Sequence, residues 1–164
     1  MGKLVEIIIN IDIESFYSIL INNPNIVAIR NRYKRTLLME AASYNKPSIV
    51  KDLIDAGSDV YAVDEDKWNA YHYSARYGHY DVLKILINHD VTSINNVDDD
   101  SNTPLHYAAR HDHAECVKLL LSMPGIDVNI RNSKNATAFD LDNTTSINRL
   151  FEERHSSQYF DKLW

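Results

Sequence analysis

Seven histidines, one cysteine and 23 acidic residues are the groups in this sequence that could bind a metal or move a proton. Histidine titrates near neutrality and is the commonest metal ligand, so its spacing comes first. His72 and His106 are 34 residues apart, and so are His79 and His113. Residues placed in phase are placed by a recurring backbone, and their predicted role is hydrogen bonding at helix starts and turns. His111-x-His113 with Cys116 could seed a zinc site. Cys116, however, falls in phase with Ile49 and Val82 on an apolar stripe, where a small buried thiol is the better reading. Asp98-x-Asp100-x-Asn102 opens like a calcium loop, which then requires Gly at its sixth position and Glu at its twelfth. The sequence has Thr103 and Ala109 there. There is no Gly-rich phosphate loop and no G-x-S-x-G turn among the 4 glycines. The expectation is a chain with no catalytic residue, metal, cofactor or small-molecule substrate, and not an enzyme.

Composition narrows the partners. The net charge is −6, from 17 basic and 23 acidic residues, and phosphate binding needs a basic face, so nucleic acid is not expected. A 45% apolar and 24% charged balance over 164 residues is that of a folded domain. One cysteine allows no intrachain disulfide, which suits a reducing, cytoplasmic setting without excluding the nucleus. No apolar run approaches the ~20 residues of a membrane span. Leu4 to Ile13 is interrupted by Glu6, Asn10 and Asp12, and is expected not to act as a signal peptide. Met1-Gly2 lacks the Ser or Thr at position 6 that myristoylation wants, having Glu6.

The elements that position these groups repeat. Thr36 to Ser43, Asn69 to Arg76 and Thr103 to Arg110 align with spacings of 33 and 34 residues; Thr137 begins a fourth copy, and Lys3 to Ile9 forms a degenerate earlier one. Thr36, Asn69, Thr103 and Thr137 are N-cap types, and Pro104 suits a first helical position. Small pairs follow, Ala41-Ala42, Ser74-Ala75 and Ala108-Ala109, letting a short helix sit close to its neighbours. Asp12, Asn45, Gly78 and Asp112 then recur in phase, residues that tolerate the left-handed conformation ending a helix. A second amphipathic helix carries Tyr17/Leu20/Ile21, Val50/Leu53/Ile54, Leu83/Leu86/Ile87 and Val117/Leu120/Leu121. Breakers Asn23-Pro24-Asn25, Gly57, Asp90 and Pro124-Gly125 follow. Pieces read as extended, Asp59-Val60, Ser93-Ile94 and Asp127-Val128, lead to polar tips at Asp64 to Asp66, Asp98 to Asp100 and Asn132 to Lys134. Such a unit cannot bury its apolar face alone; stacking several makes one continuous core. Asp142-Asn143 and Arg154-His155 break the pattern at the end, while Leu150 and Phe151 keep its phase.

Thr103-Pro-Leu-His-Tyr-Ala108 matches the signature of ankyrin repeats, Asp127-Val-Asn129 matches the usual end of the unit, and Asn69 to Leu86 with Gly78-His79 is similar. Met39 and Asp140 depart where His72 and His106 carry the signature histidine. The chain thus resembles the ankyrin repeat family. The resemblance implies an all-α solenoid of helix-turn-helix units with β-hairpin or turn tips, about five repeats with degenerate ends. The expected division is a capping repeat at 1–33, repeats at 34–66, 67–100 and 101–134, a partial capping repeat at 135–155 and an aromatic tail at 156–164. Tyr159, Phe160 and Trp164 would either fold back over the last repeat or mark the edge of a longer parent protein. Asn95 and Asn129 sit where ankyrin proteins can be hydroxylated.

The resemblance also implies a concave face built from the tips and the exposed ends of the first helices, binding another protein or peptide, with the chain itself monomeric. Mapped residue by residue, the tips supply Arg32, Tyr33 and Arg35, then Glu65, Asp66 and Trp68, then Asp99, Asp100 and Asn102, then Ser133 and Lys134. The helix ends supply Ser43 and Tyr44, Arg76 and Tyr77, Arg110 and His111. Tyr, Trp and Arg dominate binding hot spots, which puts Trp68 first unless it packs across a neighbouring tip. The second tip is basic (Arg30, Arg32, Lys34, Arg35), the third and fourth acidic, the fifth basic again (Arg131, Lys134). This banding is either ordinary solvated turns or a pattern that sets register and on-rate against a complementary ligand. The expected function is a scaffold or adaptor module; the alternative is a free-standing inhibitor or host-directed effector that occludes a partner enzyme.

Overall fold

The computed structural model describes residues 13–141 and 145–160; the side chains it describes run over 15–141 and 147–154. Lys3 to Ile9, Asp12, Asp142-Asn143 and Trp164 lie outside them. Among the described residues eight α-helices follow one another: α1 Ile13–Asn22, α2 Leu37–Ser43, α3 Pro47–Asp55, α4 Ala70–Arg76, α5 Tyr80–His89, α6 Pro104–Arg110, α7 Ala114–Leu121 and α8 Thr145–Phe160. Short 3-10 turns occupy Pro24–Ala28, Thr92–Asn95 and Phe139–Leu141. No described helix is long and apolar enough to cross a membrane.

Helices α2, α4 and α6 have seven residues each, far too short to persist alone. Side-chain caps start them: Thr36 accepts from the Met39 N–H, Asn69 from Tyr71 and His72, Thr103 from His106. Left-handed Asn45, Gly78 and Asp112 turn the chain back, at φ 53°, 69° and 58°. Gly78 has a further reason to be glycine: a Cβ there would meet the His113 ring at 2.5 Å. Capped at both ends, these helices stack on one another through fully buried Ala41, Ala42, Ser74, Ala75 and Ala108. The second helices α3, α5 and α7 stack behind them, burying Val50, Leu53, Leu83, Leu86, Val117 and Leu120. Ile147 and Phe151 of α8 continue the same core beside α7, and Leu150 packs against it.

Three expectations are corrected. Among the described side chains of α1 the buried one is Phe16, not Tyr17 or Ile21, which is 77% exposed. Phe16 is in phase with Ile49, Val82 and Cys116, and Tyr17 instead turns its hydroxyl to Asp52 of α3 at 2.6 Å. The pieces read as extended are turns: Ser93-Ile94 sits in a 3-10 turn, and Val60 and Val128 in hydrogen-bonded turns. Of the two forms expected for the tips, hairpin or turn, they take the turn; a single bridge between Arg30 and Thr36 is present among the described residues. Finally, helix α8 runs on to Phe160 through residues expected to be a tail.

Candidate functional site

Each tip is built on one side-chain oxygen. Asn31, Asp64, Asp98 and Asn132 recur at spacings of 33, 34 and 34 residues. In every case Oδ1 accepts from the backbone N–H two and four residues on: Tyr33 and Arg35, Asp66 and Trp68, Asp100 and Asn102, Lys134 and Ala136. The side chain thereby satisfies donors a tight turn would orphan, and holds Lys34, Lys67, Ser101 and Asn135 at φ near +60°. The tips are also joined. The Glu65 N–H donates to the Tyr33 carbonyl, Asp99 to Asp66 and Ser133 to Asp100, at 3.2, 3.2 and 2.8 Å. A ladder of main-chain bonds thus runs from tip to tip. Asp64 and Asp98 are buried, not exposed tip charges.

The histidines tie the stack internally. In His72 and His106, Nδ1 accepts from the N–H of the residue capping its own helix, Asn69 or Thr103. That fixes the proton on Nε2, which donates forward to the carbonyls of Asn102 and Ala136 at 3.2 and 3.1 Å. His79 and His113 donate backward, to the carbonyls of Ser43 and Arg76, which a helix C-terminus leaves unpaired. Burial pushes the His72 imidazole down to about 4, and His106 is lowered for the same cause. Cys116 is buried, and burial pushes its thiol up to about 11, far from a reactive thiolate. No group of three metal-ligating side chains occurs among the described residues. The Asn95 side chain spans to the next unit, donating to the Gly125 carbonyl and accepting from the Asp127 N–H.

Between the third and fourth tips and the ends of α4 and α6 the surface opens into a groove of ≈ 550 Å³. Seven residues expected at a binding surface line it: Arg35, Asp66, Trp68, Arg76, Tyr77, Asp99 and Asp100. Trp68 is not the wet tip residue its position suggested. It is half-buried, with its ring 4.4 Å from that of Tyr107 and 5.1 Å from that of Tyr73. It bridges two units, and apolar ring faces pair because neither has a stronger partner in water. The Arg76 guanidinium lies within 6 Å of the Trp68, Tyr77 and Tyr107 rings and contacts His111 Nε2 at 3.2 Å. Arg35 lies over Tyr73 and pairs with the buried Asp64 carboxylate at 3.6 Å. Tyr77 stays half exposed, stacked on His79.

The rest of the expected surface is divided. Arg32 and Tyr33 stack on each other at the second tip, while Tyr44, Glu65, Arg110 and His111 are exposed outside the groove lining. Asn102 is a correction. It is buried; its side chain accepts from the Asn132 amide and its carbonyl from His72, so it belongs to the tip ladder. The banded charges partly neutralise one another, through Lys67 with Asp99 at 2.7 Å and Arg131 with Asp140 at 3.6 Å. Sequence reasoning missed Tyr73, Tyr107 and Asp98 in the lining. Burial, then the bonds they donate to Asp64 and Asp98, pushes both phenols well above the usual tyrosine range, so they stay protonated donors. Their signal was present: both follow a signature histidine directly, and both lie nine residues after the acid they clasp.

No curated protein sequence matches the chain. A family model of ankyrin repeats, in three copies, matches residues 38–132, which runs from Leu38 in α2 through α7 and takes in every residue of the groove except Arg35. Ankyrin repeats are generally protein–protein interaction modules, typically without enzymatic activity. The stacked short helices, the reciprocal caps at Asn69 and Thr103 and this match over more than half of the sequence lead to one conclusion: the chain belongs to the ankyrin repeat family.

Proposed function

We propose that the chain works as a non-catalytic binding module that seats an extended segment of a partner protein in the groove between the third and fourth tips. The observation that carries this reading is the lining itself. Trp68, Tyr73, Tyr77, Tyr107, Arg35 and Arg76 converge on one concavity, and these are the residue types that supply most binding energy when a partner excludes water from them. The groups that could do chemistry support it from the other side. His72, His79, His106 and His113 spend their ring nitrogens on backbone partners, and Cys116 is buried. The tip ladder and the stacked helices hold the lining before a partner arrives, which lowers the ordering cost of binding.

Selection from a random library of linear peptides against the full chain tests this. Binders should lose about tenfold or more in affinity on Tyr77→Ala, with the circular-dichroism melt nearly unchanged because Tyr77 is half exposed. Binders that hold equally well to wild type and to Tyr77→Ala combined with Asp66→Ala would move the site off the groove.

A further inference from the structure

The groove holds a cation without an anion. Arg76 is partly buried at the end of α4 and makes no ion pair with any carboxylate among the described residues; its guanidinium contacts three aromatic rings and one neutral imidazole. A guanidinium carries five N–H donors in a rigid fork, and among the described residues that of Arg76 engages a single polar partner, His111 Nε2. The rings fix the plane of the fork and remove part of its water, yet the attraction they offer is weak beside that of an oxyanion. Arg35, the other cation in the lining, is by contrast already balanced by Asp64. On the tip side of the same groove Asp66 and Asp100 are exposed and form no ion pair among the described residues.

Resting on the groove reading, we infer that Arg76 is the specificity determinant of the site, and that it takes a single carboxylate, an Asp or Glu side chain, from a partner segment whose neighbouring residues are neutral or basic. The carboxylate meets the fork in the two-bond geometry that suits arginine and not lysine. The flanking residues cannot be acidic, because Asp66 and Asp100 on the facing tips and a chain charge of −6 would repel them. A run of acids or a polyanion is therefore rejected by the same groove that accepts one acid. His111 accepts from Arg76, which keeps the fork turned toward the rings and leaves its other edge for the ligand.

The test runs the random linear-peptide selection on wild type and on Arg76→Glu in parallel, with melts recorded for both. Wild-type binders should share one Asp or Glu at a common register position, without a second acid beside it. Changing that residue to Gln or Asn should cost about tenfold or more, and Arg76→Glu should reject the acid-bearing peptides while accepting their Lys counterparts. If Arg76→Glu lowers the melt, Arg76→Lys serves instead. It should weaken the acid-bearing peptides and leave the Gln versions unchanged. Binders that depend on Tyr77 but share no acid, or ignore Arg76, overturn this inference and leave the groove reading standing. Binders indifferent to both Tyr77 and Arg76, or a library that yields none, overturn both.

Discussion

The second and third tips have the same backbone and opposite chemistry. At the third, a buried Asp64 carboxylate accepts from the Tyr73 hydroxyl of the following helix. At the second, the residue in phase is Asn31, whose amide donates to Glu40, the residue in phase with Tyr73. Donor and acceptor have changed places across a conserved geometry, because the turn itself needs one Oδ1 acceptor and either side chain has one. The fourth tip follows the third, with Asp98 and Tyr107. The fifth follows the second in using an amide, that of Asn132, which donates to Asn102. The difference decides where a groove forms. Buried aspartates recruit tyrosines and Arg35 around Trp68, whereas the Asn31–Glu40 pair leaves Arg32 and Tyr33 stacked on the surface. Stability and recognition thus draw on the same carboxylates.

Removing the acceptor should hurt most. Asp98→Ala strands two backbone N–H groups and a buried phenol, and should cost about 4 kcal/mol in urea unfolding, against about 2 for Asn132→Ala, where no charge is involved. Equal costs would mean that the carboxylate adds nothing to the turn. Acid should next separate the middle of the stack from its flanks. His72 is held near 4 in the fold, against 6.5 when unfolded, so the unfolded chain binds more protons between those values and stability falls as pH drops from about 6.5 toward 4. His106 acts in the same direction. The phased positions Met39 and Asp140 carry no imidazole. His72→Gln should flatten the profile of urea midpoint against pH; an unchanged slope would reassign it.

Asn31→Asp would set a second carboxylate against buried Glu40, whose carboxyl burial already pushes up. It should cost about 2 kcal/mol at pH 7, and Glu40→Gln in the same chain should recover most of that. Failure of the rescue would show that the two tips are not mirror solutions. Trp68→Ala should lower stability by about 2 kcal/mol, through lost ring packing, as well as binding; Tyr77→Ala should lower binding alone. The smallest effect is expected at Lys34, exposed at φ 60°, where glycine should gain about 0.5 kcal/mol by relieving the left-handed strain.

Much of this was legible in the sequence, and the physical reason is that caps and stops use residue types with narrow uses. Thr36, Asn69 and Thr103 read as N-caps, and Asn45, Gly78 and Asp112 as left-handed stops, and each is found so. Lys34, Lys67 and Ser101 have no such preference; their positive φ is imposed by a side-chain oxygen three residues earlier, a signal that lies in Asn31, Asp64 and Asp98. Asn102 and Trp68 misled for one reason. A polar or amphipathic residue in a turn reads as exposed, and what covers it comes from the next unit: Asn132 for one, Tyr107 for the other. The groove was half legible, since its arginines and tip acids follow from the repeat pattern while Tyr73 and Tyr107 sit on helix positions that read as core.

If the groove is the binding site, a partner segment lies beside Trp68. The chain has two tryptophans, Trp68 and Trp164, so an indole-labelled sample gives two resonances that Trp68→Phe assigns. Titration with a library-selected peptide should move the Trp68 indole N–H progressively and saturably, in step with the affinity measured independently. Saturable binding that leaves the Trp68 indole unmoved would contradict it.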